Sequence, residues 1–150
     1  MIKRLVLYLI LVIIGIGLGA YFFTGTEARK PLQFSGCEPV CFHTDEALGL
    51  LTSIGIRYAS GYIPDKVMET DKTLAIKHPT SKIANHYLII PKKDLKNLAS
   101  VTEEDQVYIR DAIAVIQKII ADKNLKTFQI VSNGPGYQEA TYLHFHLVSE

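Results

Sequence analysis

The hydrophobic pattern divides the chain in two. Its amino-terminal part opens on an unbroken apolar run, Leu5–Phe23 (LVLYLILVIIGIGLGAYFF), with no charge inside it. That is close to the roughly 20 residues a helix needs to cross a bilayer. Lys3 and Arg4 precede the run, and Tyr21, Phe22 and Phe23 stand where an interfacial aromatic belt forms. A cleaved signal peptide would show a similar run, with Thr26-Glu27-Ala28 as an imperfect cleavage site. The apolar stretch exceeds the usual h-region of about 7–15 residues, so an uncleaved single-pass anchor over 1–24 is expected. A soluble core helix is disfavoured, because so small a domain could not cover it on every side.

Residues 25–36 carry turn formers and charges without a period and read as a linker. From 37 to 64 a covering segment is expected, with a helix opening at Thr44-Asp45-Glu46 and acidic side chains at the positive end of its dipole. Leu48, Leu51 and Ile54 recur at a three-residue step and would form its inner face, while Gly49, Gly55 and Gly61 weaken it. Val67–Thr70 and Thr73–Ile76 flank Asp71-Lys72 as a β-hairpin. His86–Ile90 has the β-branched, nearly continuous apolar character of a buried strand, and Pro91 ends it.

A long helix is predicted over about 102–122, with Ser100…Glu103 spaced as a capping box and Thr102 as the alternative cap. Val107, Ala112, Ile113, Val115, Ile116, Ile119 and Ile120 would face the core. Thr127–Val131 is a further strand. From Thr141 the residues alternate, Tyr142, His144 and His146 against Leu143, Phe145 and Leu147, which is a final strand with two imidazoles on one face. A hairpin, a strand, a long helix and two strands is an α+β order, an antiparallel sheet with one long helix behind a single transmembrane helix.

Composition changes this picture little. The 48% apolar content is inflated by the first segment, and a net charge of +1 with no basic run gives no reason to expect nucleic acid as a partner. Lys3 and Arg4 face Arg29 and Lys30 across the apolar run, and the free amine tips the balance towards an inside amino terminus and a domain on the non-cytoplasmic side.

The candidate chemistry lies at the carboxy terminus. Two histidines on a half-exposed edge strand would be ordinary polar surface; the loop Asn133-Gly-Pro-Gly-Tyr-Gln138 in front of them gives them a second meaning. A Gly/Pro turn presents backbone N–H groups beside the imidazoles, and a phosphate would fit between. Gly136-Tyr-Gln138, followed by Tyr142-x-His144-x-His146-Leu-Val, resembles the histidine-triad signature His-φ-His-φ-His-φ-φ. Upstream, Asn85-His86-Tyr-Leu-Ile-Ile-Pro91-Lys92-Lys93 is similar to that family's second motif, and the resemblance covers about residues 65–150.

The resemblance implies a fold of this order, paired into a ten-stranded homodimer sheet, and a histidine nucleophile acting on the α-phosphorus of a nucleotide or another phosphate-bearing small molecule. It implies His144 as nucleophile and His146 beside the leaving group. Asn133, Gln138 and the amides of Gly134 and Gly136 would hold phosphate or ribose, with His86 nearby. Tyr142 replaces the first triad histidine, where a phenol can still hydrogen-bond. Glu139 replaces a serine, and a carboxylate there repels phosphate unless it turns away. His78 stands where an acidic residue grips the ribose. A non-enzymatic domain binding an anionic ligand or a protein is the alternative.

Cys37 and Cys41 are spaced loosely for a zinc knuckle, which needs two further ligands. In the family such a pair is completed by residues at positions held here by Asp94 and Tyr142; His43 is a possible substitute. No bound metal and no cofactor are therefore expected. Two inert thiols remain one reading, and a local disulfide the other if the domain faces an oxidising compartment.

Overall fold

The computed structural model describes residues 2–32 and 41–150. Helix α1 (Ile2–Phe23) carries the apolar run; its side chains from Lys3 onward are almost all exposed, with Tyr21 and Phe22 packed against Tyr58. It is long and apolar enough to cross a membrane, the property that a signal sequence shares. Helix α2 (Thr44–Ala59) and a short 3-10 turn (Ser60–Tyr62) precede five strands: β1 (Lys66–Glu69), β2 (Thr73–Lys77), β3 (Asn85–Pro91), β4 (Gln129–Val131) and β5 (Phe145–Ser149). Helix α3 (Gln106–Asp122) lies between β3 and β4 in the sequence.

The strands form one antiparallel sheet in the order β1-β2-β3-β5-β4. The long connection through α3 carries the chain from β3 to the far edge, and β5 then returns to fill the gap. Because side chains alternate across a strand, the sheet has two distinct faces. One face (Ala75, Tyr87, Ile89, Phe145, Leu147) packs on Ala112, Val115, Ile116 and Ile119 of α3. The other (Leu74, Ile90, with Ile76 and Leu88) meets Ile56 of α2 and Tyr142. The α+β class and the antiparallel sheet agree with the sequence expectation.

The ends of α3 follow from local chemistry. Thr102, not Ser100, opens it: Asp105 Oδ2 accepts from Thr102 N at 2.9 Å and from Thr102 Oγ1 at 2.8 Å. Residues 103–105 make a 3-10 turn first, so the α-helix proper starts later than the apolar period suggests. At the other end Asn124 takes φ 52°, its N–H meets Ala121 O, and Leu125 N reaches Ile120 O at 3.0 Å. This is a Schellman stop, with asparagine tolerating the left-handed turn. Val107 and Ile113 were expected inside and are exposed, because the sheet covers only the stripe centred on Ala112, Ile116 and Ile119.

Helix α2 is also rotated from the face its leucines suggest. Leu48 and Leu51 are exposed, and Gly49, Ser53 and Ile56 are buried. A side chain at Gly49 would stand 2.7 Å from Arg29 Nε and from Thr141 O. Close approach therefore selects the small residues for the inner side, and leucines are left outside. Segment 25–31 has no helix or strand and is anchored: Arg29 has a fully buried side chain paired with Asp94 at 2.5 Å. Cys41 is disulfide-bonded; Cys37 lies outside the described residues.

Candidate functional site

The site is assembled on the α2 face of the sheet by strand register. Leu88 pairs with His146 and His86 with Val148, so His86 is the diagonal neighbour of His146. His78 lies one residue past β2 and is fixed there by its N–H to His86 O at 2.8 Å. His144 lies just before β5, two residues from His146 and on the same face. Ring centroids are 4.2 Å apart for His78–His86, 5.2 Å for His86–His146 and 4.8 Å for His144–His146. Four imidazoles thus share one patch, although their residues come from three separate stretches of chain.

Each ring has a distinct hydrogen-bonding state. His144 Nδ1 lies 2.8 Å from Tyr142 O. A carbonyl oxygen can only accept, so Nδ1 carries the proton and Nε2 of the neutral ring keeps its lone pair. Ser132 Oγ donates to His144 O at 3.0 Å, and Leu143 N to Leu95 O at 2.6 Å, which steadies the backbone on either side. His86 Nε2 and His146 Nδ1 share one hydrogen at 2.9 Å. Burial, followed by the neighbouring imidazoles, pushes His146 down to about 4. Burial and His78 lower His86 as well. Both rings are neutral at pH 7.

Above this patch is a cavity of about 540 Å³, bounded by Thr52, Gly55 and Ile56 of α2, by Ile76, Leu88 and Ile90 of the sheet, and by the loop before β5. Its floor includes His78, His144 and His146. The wall is chiefly apolar with a few polar groups at one end, the usual character of a small-molecule site.

The expected residues divide. His144, His146, Tyr142 and Asn133 line the cavity, and His86 supports His146 from behind. Gly134 and Gly136 instead shape a type II turn: Pro135 occupies its second position, Gly136 has φ 85°, and Tyr137 N donates to Gly134 O at 3.1 Å. Gln138 donates its side-chain amide to Lys96 O at 2.9 Å and is not among the lining residues. Tyr142 is 1% exposed. Its ring forms wall while its hydroxyl donates to the carbonyls of Pro91 and Lys93, at 2.9 and 3.1 Å. Glu139 is exposed and lines the cavity.

The model for the family described as scavenger mRNA decapping enzyme C-terminal binding matches residues 56–150. A HIT-like protein of Chlamydia muridarum is 31% identical over 111 residues, 71% of this chain and 88% of its own. The chain belongs to the histidine-triad family. Solved histidine-triad structures agree. A histidine triad protein from Clostridium difficile superposes with a TM-score of 0.57 at 29% identity, covering 65% of this chain and 89% of its own. A HIT family hydrolase from Legionella pneumophila does so with 0.57 at 27% identity, covering 63% and 88%. The fold is that of a histidine-triad hydrolase.

Against the family pattern, the sequence alone missed the backbone carbonyl that holds His144 and the burial of Arg29. The two positions where the resemblance implies zinc ligands, Asp94 and Tyr142, hold other chemistry. Asp94 is paired with Arg29 and accepts from Glu27 N at 2.9 Å, and Arg29 Nη2 donates onward to Thr141 O at 2.6 Å. No local motif around Arg29 signals this, because Asp94 and Thr141 are more than sixty residues away.

Proposed function

We propose that this histidine-triad protein is a membrane-anchored nucleotide hydrolase or nucleotidyl transferase, acting at an α-phosphate through His144. The observation that carries the reading is the bond from His144 Nδ1 to Tyr142 O, which leaves Nε2 as the uncommitted nitrogen of a cavity-lining ring. Nε2 would attack phosphorus, forming a P–N bond as the bond to the leaving group breaks. His146, beside it, would donate a hydrogen bond to the departing atom. Water or another acceptor would then break the P–N bond and restore the imidazole. Asn133 would hold a phosphate or ribose oxygen. The apolar wall of Ile63, Ile76 and Leu88 suits the face of a nucleoside base.

Helix α1 would remain attached as a single-pass anchor, with the domain on the non-cytoplasmic side and two chains paired into a homodimer. Alkaline carbonate extraction tests the anchor: the protein should stay with the membrane pellet, and its release would remove the anchor from the proposal.

One observation favours a second reading, a catalytically weakened domain that binds an anionic ligand or a protein. Glu139 lines the cavity, where a carboxylate opposes a phosphate. Mass spectrometry after incubation with adenosine phosphoramidate separates the two. A mononucleotide adduct on His144, absent in His144→Ala, is expected of the enzyme. Binding without any adduct or turnover would establish the second reading instead.

A further inference from the structure

Three of the four clustered histidines, His146 of the proposed phosphate site among them, also bring ring nitrogens close to one another. We infer that His78, His86 and His146 form a binding site for one divalent first-row transition-metal ion of the zinc class, built across β2, β3 and β5. The inference does not depend on whether His144 attacks phosphorus.

One ring nitrogen from each residue lies within 4.8 Å of the others. His86 Nε2 and His146 Nδ1 are already 2.9 Å apart. Zinc binds imidazole nitrogen at about 2.0–2.1 Å, so two nitrogens on one tetrahedral ion stand roughly 3.3 Å apart and their ring centroids roughly 5 Å. The centroid separations here are 4.2, 5.2 and 6.0 Å. An ion there would take the place of the hydrogen that His86 Nε2 and His146 Nδ1 now share.

Donor chemistry fixes the class of ion. Three imidazoles with no carboxylate in the group suit zinc, copper, nickel or iron and not calcium or magnesium, which require oxygen ligands. Three protein ligands leave a coordination position open, the arrangement of a catalytic or exchangeable ion more than of a closed structural one. His78 and His146 both line the cavity, so that open position lies where a small anion or water can reach it. The site is separate from the Cys37/Cys41 pair, whose missing ligands led to the expectation of no metal.

The test uses the full-length chain in detergent, stripped with a chelator and dialysed. Titration with Co2+, followed by its visible ligand-field absorption, should saturate at one ion per chain, and Zn2+ should displace it. His78→Ala and His86→Ala should each weaken Co2+ binding by at least about tenfold, the lower bound for loss of even an outer partner. His144→Ala should leave it unchanged. Circular dichroism verifies that each variant is folded, and His78, half-exposed beyond the end of β2, is the substitution least able to disturb folding. Absence of saturable binding in the wild type, or equal affinity in wild type and His78→Ala, would overturn the site. Loss of binding in His144→Ala with full binding in His78→Ala would also overturn it, by placing the ion on the proposed nucleophile.

Discussion

Tyr142 orients the neighbouring His144 through its backbone and not through its side chain. The atom that holds His144 Nδ1 is the main-chain carbonyl of residue 142, and any side chain there leaves that carbonyl in place. The phenol faces the other way, into the carbonyls that end β3. Burial, then the charge of Asp94, holds its ionisation well above the ordinary range, so it is a neutral donor under all relevant conditions. Tyr142→Phe should therefore change stability and not chemistry. Two buried carbonyls lose a donor, which costs about 1–3 kcal/mol. Urea denaturation should record that loss while phosphoramidate turnover, if the enzyme reading holds, stays within about threefold. A hundredfold fall in kcat with unchanged stability would assign the hydroxyl to the reaction. The alternation of histidines and apolar residues was legible in the sequence because a period of two is a local property. The direction of the phenol was not, because it is decided by carbonyls some fifty residues earlier in the chain.

Elements carry the same lesson in their ends and inner faces. The hairpin, β3 and the long helix were readable from apolar periods and turn residues, whereas α2 presented the wrong face to that reading. Leu48 and Leu51 satisfy a helical period, but Gly49 permits the approach to Arg29 and Thr141 that fixes the helix's rotation. The start of α3 rests on Asp105, whose carboxylate takes the Thr102 cap bonds on one oxygen and Lys93 on the other. The Lys93 bond first and the Thr102 backbone bond second pull Asp105 down to about 2. Its ordinary value is about 3.9. A depressed carboxylate contributes stability that is fully present above the unfolded value and is lost as pH falls through the folded one. The interval is therefore about pH 4 to 2. That depression corresponds to about 2.5 kcal/mol, discounted to about 1–2 because Lys93 is 41% exposed and screened. Wild type should lose that amount across the interval in acid titrations of stability. Asp105→Asn should start lower at pH 7 and lose less between pH 4 and 2; an equal slope in both proteins would show that Asp105 is not the linked group.

At the scale of the whole molecule, the two sheet edges differ in a way that bears on assembly. The β1 edge carries Lys66 and Glu69, ion-paired at 2.5 Å, with Lys92 reaching Glu69 at 2.8 Å. Charged side chains on an edge strand discourage pairing with another chain. The β4 edge has no such guard. Gln129, Ile130 and Val131 are all exposed, Phe128 stands beside them at 44% exposure, and among the described residues β4 pairs only with β5. A bare apolar edge invites a second copy, and antiparallel joining of two β4 strands about a two-fold axis would give the ten-stranded sheet proposed for the homodimer. A single-pass α1 on each chain would then put both anchors in one membrane. Ile130→Lys introduces the guard that β4 lacks, at a position outside the buried core, so the fold itself should survive. Light scattering of the detergent-solubilised protein, corrected for bound detergent, should give a dimer mass for wild type and a monomer mass for Ile130→Lys, with matching circular dichroism spectra. A wild-type monomer would dispose of the dimer, and a variant that remained dimeric would move its interface away from β4.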